Sequence, residues 1–199
     1  MVSNPDVETK VERLFFAIRL SEAAALEANR AALQACAGFG LKSKLIPAER
    51  LHVTLHWLQD HETLSRELLD RAMAAGGRVG VAPFGVVFDR VESLGDVHHG
   101  GPLVLAGGAG LASLRKLQKA LAAEMVDAGI GKYVRRSFKP HVTLLYDGKY
   151  VAPHAISPVV WTVDELVLVH SLVGRSKHVT LGRWQLQSRQ MSLGDWCWP

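Results

Sequence analysis

At 199 residues the chain fits the roughly 100–200 residues of an ordinary domain, so it has enough length for one full-sized domain or two small lobes. Hydrophobic residues supply 48% of it and charged residues 21%, a globular composition that excludes intrinsic disorder, collagen and coiled coil. Lys and Arg outnumber Asp and Glu 23 to 19, and the resulting net charge of +4 permits an anionic partner without requiring one.

Residues 13–20 read as a strand, since Leu14, Phe15, Phe16 and Ile18 form a short apolar, aromatic-rich run. Ser21 then caps an alanine-rich helix over 22–37, with Leu26, Leu33 and Ala37 at helical spacing and the glycines of 38–40 as its stop. A strand over 51–58 precedes a second helix over 62–75, which carries Leu64, Leu68, Leu69 and Met73 on one face and ends at Gly76-Gly77. Two strands, 84–91 and 102–106, flank a turn at 95–101. The helix over 111–127 has a stripe of Leu111, Leu114, Leu117, Leu121 and Met125. Three more strands read over 141–146, 161–170 and 178–186, with 149–158 as a loop containing Pro153 and Pro158. Strands and helices interleave without a glycine-rich nucleotide loop, which favours an α+β fold with antiparallel sheets over a doubly wound parallel sheet.

Cys36 and Cys197 are far apart and form no CxxC pair, so neither a disulfide framework nor a zinc knuckle is expected, and a reduced cytoplasm fits best. The apolar run at 14–18 is far shorter than the roughly 20 residues that cross a bilayer, so no signal peptide, transmembrane helix or membrane partner is expected.

One tetrapeptide recurs: His52-Val53-Thr54-Leu55, His141-Val142-Thr143-Leu144 and His178-Val179-Thr180-Leu181. On a strand successive side chains alternate faces, so Val and Leu turn to the core while His and Thr point together to the other side. An imidazole beside a hydroxyl suits phosphate chemistry: the ring moves a proton near neutral pH and the hydroxyl donates to a phosphoryl oxygen. Two facing pairs supply an acid and a base across one phosphorus without a metal. At 10²- to 10⁴-fold for each positioned proton transfer, the pair is worth roughly 5 to 11 kcal/mol. The first two copies share a proline and a cation just upstream, Pro47 and Arg50 in one case, Lys139 and Pro140 in the other. The copy at His178 lacks the proline.

These residues resemble the two-histidine phosphoesterase superfamily, in its bacterial RNA 2′,3′-cyclic phosphodiesterase branch, also named for 2′-5′ RNA ligase activity. Its mark is two His-x-Thr/Ser-hydrophobic motifs, one in each half, matched by His52/Thr54 and His141/Thr143. The strand at 13–20, Pro83-Phe84 with Asp89-Arg90, the Phe138 to His141 lead-in, and the stretches 166–171 and 174–186 extend the likeness over nearly the whole chain. The resemblance implies a bilobal α+β fold of two antiparallel sheets with flanking helices, related by a pseudo-two-fold axis around an active-site cleft, within one unit spanning 1–199. It implies hydrolysis of a 2′,3′-cyclic phosphate at an RNA end to a 2′-phosphate. In that scheme His52 protonates the departing 3′ oxygen, His141 takes a proton from water, and Thr54 and Thr143 hold the phosphate oxygens. The residues by themselves leave open which histidine is acid and which base. No cofactor is implied, the partner is RNA with a cyclic phosphate end, and a monomer is expected because both halves of the site lie in one chain. Two other readings are a catalytically quiet RNA-end binding module, and 2′-5′ ligation or cleavage by the same histidines.

The chain departs from the family twice: Gln59 follows Leu58 where Leu-Gly is usual, and Tyr146 stands where an Arg is usual. Arg135, Arg136 and Lys139 either replace that charge at the phosphate or form a solvated basic loop, and Arg50 is expected to add positive charge at the cleft as a substrate contact. Tyr146 stacks on a nucleobase or is half-buried in its strand. His178 takes a structural or substrate-edge role. His56, His61, His98 and His99 have no partner at metal-ligand spacing and are expected on the surface, and Trp196-Cys197-Trp198 is a packing anchor.

Overall fold

The periodicity of the first apolar run dictates a central position in a sheet: Leu14, Phe16 and Ile18 fill one face of the strand β1 (Glu12–Arg19), Phe15 and Ala17 the other, and all five are buried. A computed structural model of the chain describes residues 12–61, 64–172 and 177–188. The elements that follow β1 are α1 (Glu22–Phe39), β2 (His52–His61), α2 (Arg66–Gly77), β3 (Phe84–Ser93), β4 (Gly101–Ala106), α3 (Ala112–Asp127), β5 (Val142–Asp147), β6 (His154–Val163), β7 (Glu165–Leu172) and β8 (Lys177–Gln185).

The strands make two four-stranded antiparallel sheets, ordered β2-β1-β7-β8 and β5-β4-β3-β6. The expected α+β architecture of two antiparallel sheets is therefore found. The orders correspond strand for strand, and the edge strands that bear the first two motif copies are each joined through a helix to the strand they pair with, as β1-α1-β2 and β4-α3-β5. One apolar cluster runs through both sheets and all three helices, from Leu14, Phe16 and Val53 in the first sheet to Val86, Phe88 and Leu105 in the second.

Helix α1 corrects one expectation. Its inner face is Ala24, Ala25, Ala28, Ala31, Ala32 and Ala35, whereas Leu26 and Leu33 are 60% and 59% exposed. Alanines let the helix backbone approach β3, β5 and β6 closely, and the larger side chains are left outside. The helix runs to Phe39 and is capped by Gly40 in the left-handed region (φ 64°), with its N–H on the Cys36 carbonyl. The expected stripe is buried in full, with Leu114, Leu117, Leu121 and Met125 on α3 and Leu111 in the turn just before it all completely buried.

A second correction concerns residues 149–158, read as a loop from their prolines. Strand β6 begins at His154 and carries Pro158 inside it, and a break at Asp164 separates it from β7, so the expected strand over 161–170 is two strands. Proline is tolerated there because β6 is an edge strand and does not need to donate on its outer side. The start of the expected helix at Glu62, and Cys197 with its flanking tryptophans, lie outside the described residues.

The two faces of α1 set opposite expectations for adjacent residues. Ala32→Leu inserts bulk into a closed interface and should cost roughly 1–3 kcal/mol. Leu33→Ala should stay within about 0.5 kcal/mol. Denaturant midpoints of the two variants check this, and an equal loss in both would contradict the packing.

Candidate functional site

The Leu of each repeated tetrapeptide occupies a bulge. Between Thr54 and His56 on β2 only one step is taken on β1, so Leu55 is the extra residue. Leu144 on β5 and Leu181 on β8 stand in the same position against β4 and β7. The extra residue resets the alternation, so Leu55 and His56 are both buried, as are Leu144 and Leu145. His52, Thr54 and Trp57 then share the open face of one motif strand, and His141, Thr143 and Tyr146 that of the other. These six residues line a single cleft of about 270 Å³ between the sheets, together with Arg13, Phe15, Ile46, Arg50, Ser171 and His178. The segment before β2 ties the two motif strands together, with Leu45 bridging to Leu145 and the Ile46 N–H donating to the Leu144 carbonyl at 2.7 Å.

Both motif histidines are oriented in the same way. His52 Nδ1 donates to the Arg50 carbonyl at 2.6 Å and His141 Nδ1 to the Lys139 carbonyl at 2.8 Å, each two residues upstream. A carbonyl only accepts, so Nδ1 keeps its proton and Nε2 is left as the nitrogen that gains or loses one. Burial lowers the proton affinity of His52 below its ordinary 6.5, with the Arg50 carbonyl opposing this and His141, Arg19 and Arg50 adding to it. Phe15 stacks on the His52 ring at 5.0 Å.

His178 lies on the opposite edge of the first sheet, three strand spacings or roughly 14 Å away if the sheet were flat. Its ring nevertheless comes within 5.4 Å of His52 and 5.8 Å of Phe15, and all three rings line the cleft. Burial first, then His52, Arg50 and Arg19, push its proton affinity down to about 4, so the ring is neutral at neutral pH. Arg19 also donates to Thr180 Oγ1 at 2.8 Å.

The other expected contacts separate into two groups. Arg50 and Tyr146 line the cleft; Tyr146 is 67% exposed rather than half-buried, and Arg50 Nε is buried with no hydrogen-bond partner within the protein. Arg135 reaches the same rim by packing its guanidinium 5.4 Å from the Trp57 ring centre, beside Arg13 at 5.6 Å. Lys139 instead pairs with the buried Glu92 at 2.7 Å, and Arg136 is exposed and outside the cleft lining. Burial alone would raise the Glu92 carboxyl, but Lys139 and Arg90 hold it below its usual range.

His56 is buried completely, contrary to a surface position. It faces Gln118, whose carbonyl is 3.0 Å from Nε2, and its Nδ1 accepts the Arg135 N–H at 3.4 Å. His98 and His99 are exposed as expected, with His99 on Asp96; the His61 side chain lies outside the described residues. Sequence reasoning misses Trp57, Arg13, Arg19, Phe15 and Ser171. Alternation from His52 and Thr54 points to His56 on the open face, and a bulge leaves no mark in the residue pattern. Arg19 and Phe15 are findable, because β1 alternates and lies beside the motif strand.

Among the described residues, no helix is long and apolar enough to cross a membrane, and no three His, Cys, Asp or Glu side chains are grouped as a metal site. A family model described as the 2′-5′ RNA ligase superfamily matches residues 20–175. Among solved structures, the chain is similar to E. coli LigT in its apo form, at 24% identity and a TM-score of 0.68, covering 90% of this chain and 99% of that one. It is likewise similar to the protein TT0787 of Thermus thermophilus, at 24% identity and a TM-score of 0.68, covering 89% and 100%. LigT has also been solved with 3′-AMP, at 23% identity to this chain and a TM-score of 0.63, covering 89% of this chain and 98% of that one. No curated protein matches the chain.

Three rings in and behind the cleft, those of His52, His56 and His178, resist protonation mainly through burial. In the unfolded chain they take up protons at about 6.5, while the folded protein takes them up only at lower pH. Stability is therefore expected to be full above pH 6.5 and to decline as pH falls toward 4, with a smaller decline in His178→Asn. Thermal midpoints between pH 7.5 and 4.5 check this, and a flat profile would sink it.

Proposed function

This chain belongs to the 2′-5′ RNA ligase superfamily, and from that premise we propose that it hydrolyses 2′,3′-cyclic phosphate ends of RNA to 2′-phosphates. The observation that carries the reading is that two imidazoles, each with Nδ1 committed to a carbonyl, line one cleft with both threonines. The E. coli protein that shares this fold has been solved with 3′-AMP and with phosphate, which supports a nucleotide phosphate in the cleft.

In the proposed reaction water attacks the phosphorus and the bond to the 3′ oxygen breaks. His141 Nε2 takes the proton of the attacking water, and His52 Nε2 delivers one to the 3′ oxygen, leaving a 3′ hydroxyl and a 2′-phosphate. Thr54 and Thr143 donate to the non-bridging oxygens. Arg50 Nε, buried and unpaired within the protein, gains its acceptor when an anionic phosphate binds. The neutral His178 beside His52 contacts the substrate edge without adding charge. The step balances with water and two imidazoles, so it needs no metal and is expected to continue in a chelator. Because the low proton affinity of His52 disfavours its acid form, the arriving phosphate anion is what raises it into that role.

Replacing either His52 or His141 by Ala should lower turnover of a cyclic-ended oligonucleotide by roughly 10²- to 10⁴-fold. Full activity in either variant would rule out the pair, and binding without product in the wild type would indicate a binding module instead. A panel that includes 2′-5′ linked dinucleotides distinguishes hydrolysis of cyclic ends from 2′-5′ cleavage. In the pH profile of kcat/KM, the His52 titration should form a limb below pH 6.5. That limb should be absent from the residual activity of His52→Ala.

A further inference from the structure

We propose that Arg13 and Arg135, gathered against Trp57, form a second anion subsite that takes the phosphodiester one nucleotide upstream of the reacting phosphate. The chain would thus prefer the end of an RNA strand to a free cyclic nucleotide. This rests on the cyclic-phosphate reading for the position of the reacting end.

The bulge at Leu55 brings Trp57 onto the face that carries His52 and Thr54, opposite Phe15 where Thr54 is opposite Ala17, which is two ladder steps or roughly 7 Å of strand beyond Thr54. That spacing sets Trp57 to one side of the reacting phosphate rather than on it, about where a single strand leaves the site. Two guanidinium groups lie within 6 Å of the indole, one from β1 and one from the segment before β5. Packing against an aromatic ring restrains a guanidinium while leaving its N–H donors at the edge of the plane available to an anion. Arg135 has no carboxylate partner among the described residues, and both side chains are exposed.

The position of Arg135 is built rather than incidental. Its N–H donates to Nδ1 of the buried His56, and its carbonyl accepts from Gln118 Nε2 at 3.1 Å, so two side chains from β2 and α3 hold its backbone. The same region carries the departure from the family, since Tyr146 occupies the position of a usual arginine at the other motif. The positive charge missing there is supplied across the cleft, where a tyrosine and a tryptophan occupy equivalent places on the two motif strands. A cyclic mononucleotide has one phosphate and engages the histidine site alone. A strand end has the next phosphodiester and engages both.

The test compares kcat/KM for a 2′,3′-cyclic mononucleotide and for a dinucleotide ending in the same cyclic phosphate. The wild type should prefer the dinucleotide, and Arg135→Ala should reduce that ratio by about tenfold, as expected for loss of a hydrogen bond to a charged group. Arg13→Ala should act in the same direction. Arg66→Ala, which removes an equal charge on α2, should retain the ratio. An unchanged ratio in both cleft variants, or an equal fall in Arg66→Ala, would overturn the subsite. If the wild type hydrolyses neither substrate, the catalytic reading fails separately. The subsite is then read from equilibrium binding of a dinucleotide 2′-phosphate against a nucleoside 2′-phosphate in the same variants, where loss of the preference supports it and its persistence overturns it.

Discussion

One geometric constraint governs the site: a strand alternates its side chains, and only an inserted residue changes which of them face a given side. The Leu of His-Val-Thr-Leu is that insertion on β2, β5 and β8. Before it on β2 and β5, His and Thr face the cleft and Val faces the core. On β2 and β5 the inserted Leu and the residue after it are both buried, so the pattern restarts one step out of phase and puts Trp57 and Tyr146 beside the threonines. Without the bulge, His56 would enter the cleft, Trp57 would turn to the interior, and the hydrogen bonds that hold Arg135 would be lost.

The two halves share their backbone plan but differ in surroundings. His52 is enclosed by Phe15 and His178, and burial depresses its proton affinity. His141 has no aromatic ring packed on it among the described residues, and its upstream Lys139 is neutralised by Glu92. The two equivalent motif histidines therefore sit in unequal environments. The Glu92–Lys139 pair also anchors the residue whose carbonyl orients His141.

The strand and helix order was legible because β1 carries a continuous apolar run and α3 an unbroken apolar stripe, and the motif pair was legible because its tetrapeptide recurs at positions 52 and 141, 89 residues apart. Legibility ended where tertiary context decides. In α1 the leucines suggest the inner face, but the sheet requires the smaller alanines. In β6 the prolines suggest a loop, but an edge strand accepts them. His178 belongs to a strand on the far side of its sheet, and only the tertiary fold brings it to His52. The cluster of Arg13, Trp57 and Arg135 draws on three separate segments that no local pattern connects.

The sheets have four outer strands, β2 and β8 in one, β5 and β6 in the other, and the irregular register of every pair involving them falls on that outer strand. A straight outer strand would offer a row of free N–H and C=O groups to any other chain, the usual route to edge-to-edge aggregation. Here each such row is interrupted, by a leucine bulge on three strands and by the stretch containing Pro158 on the fourth. The distortion that turns the motif histidines into the cleft therefore also makes the protein a poor template for amyloid-like growth.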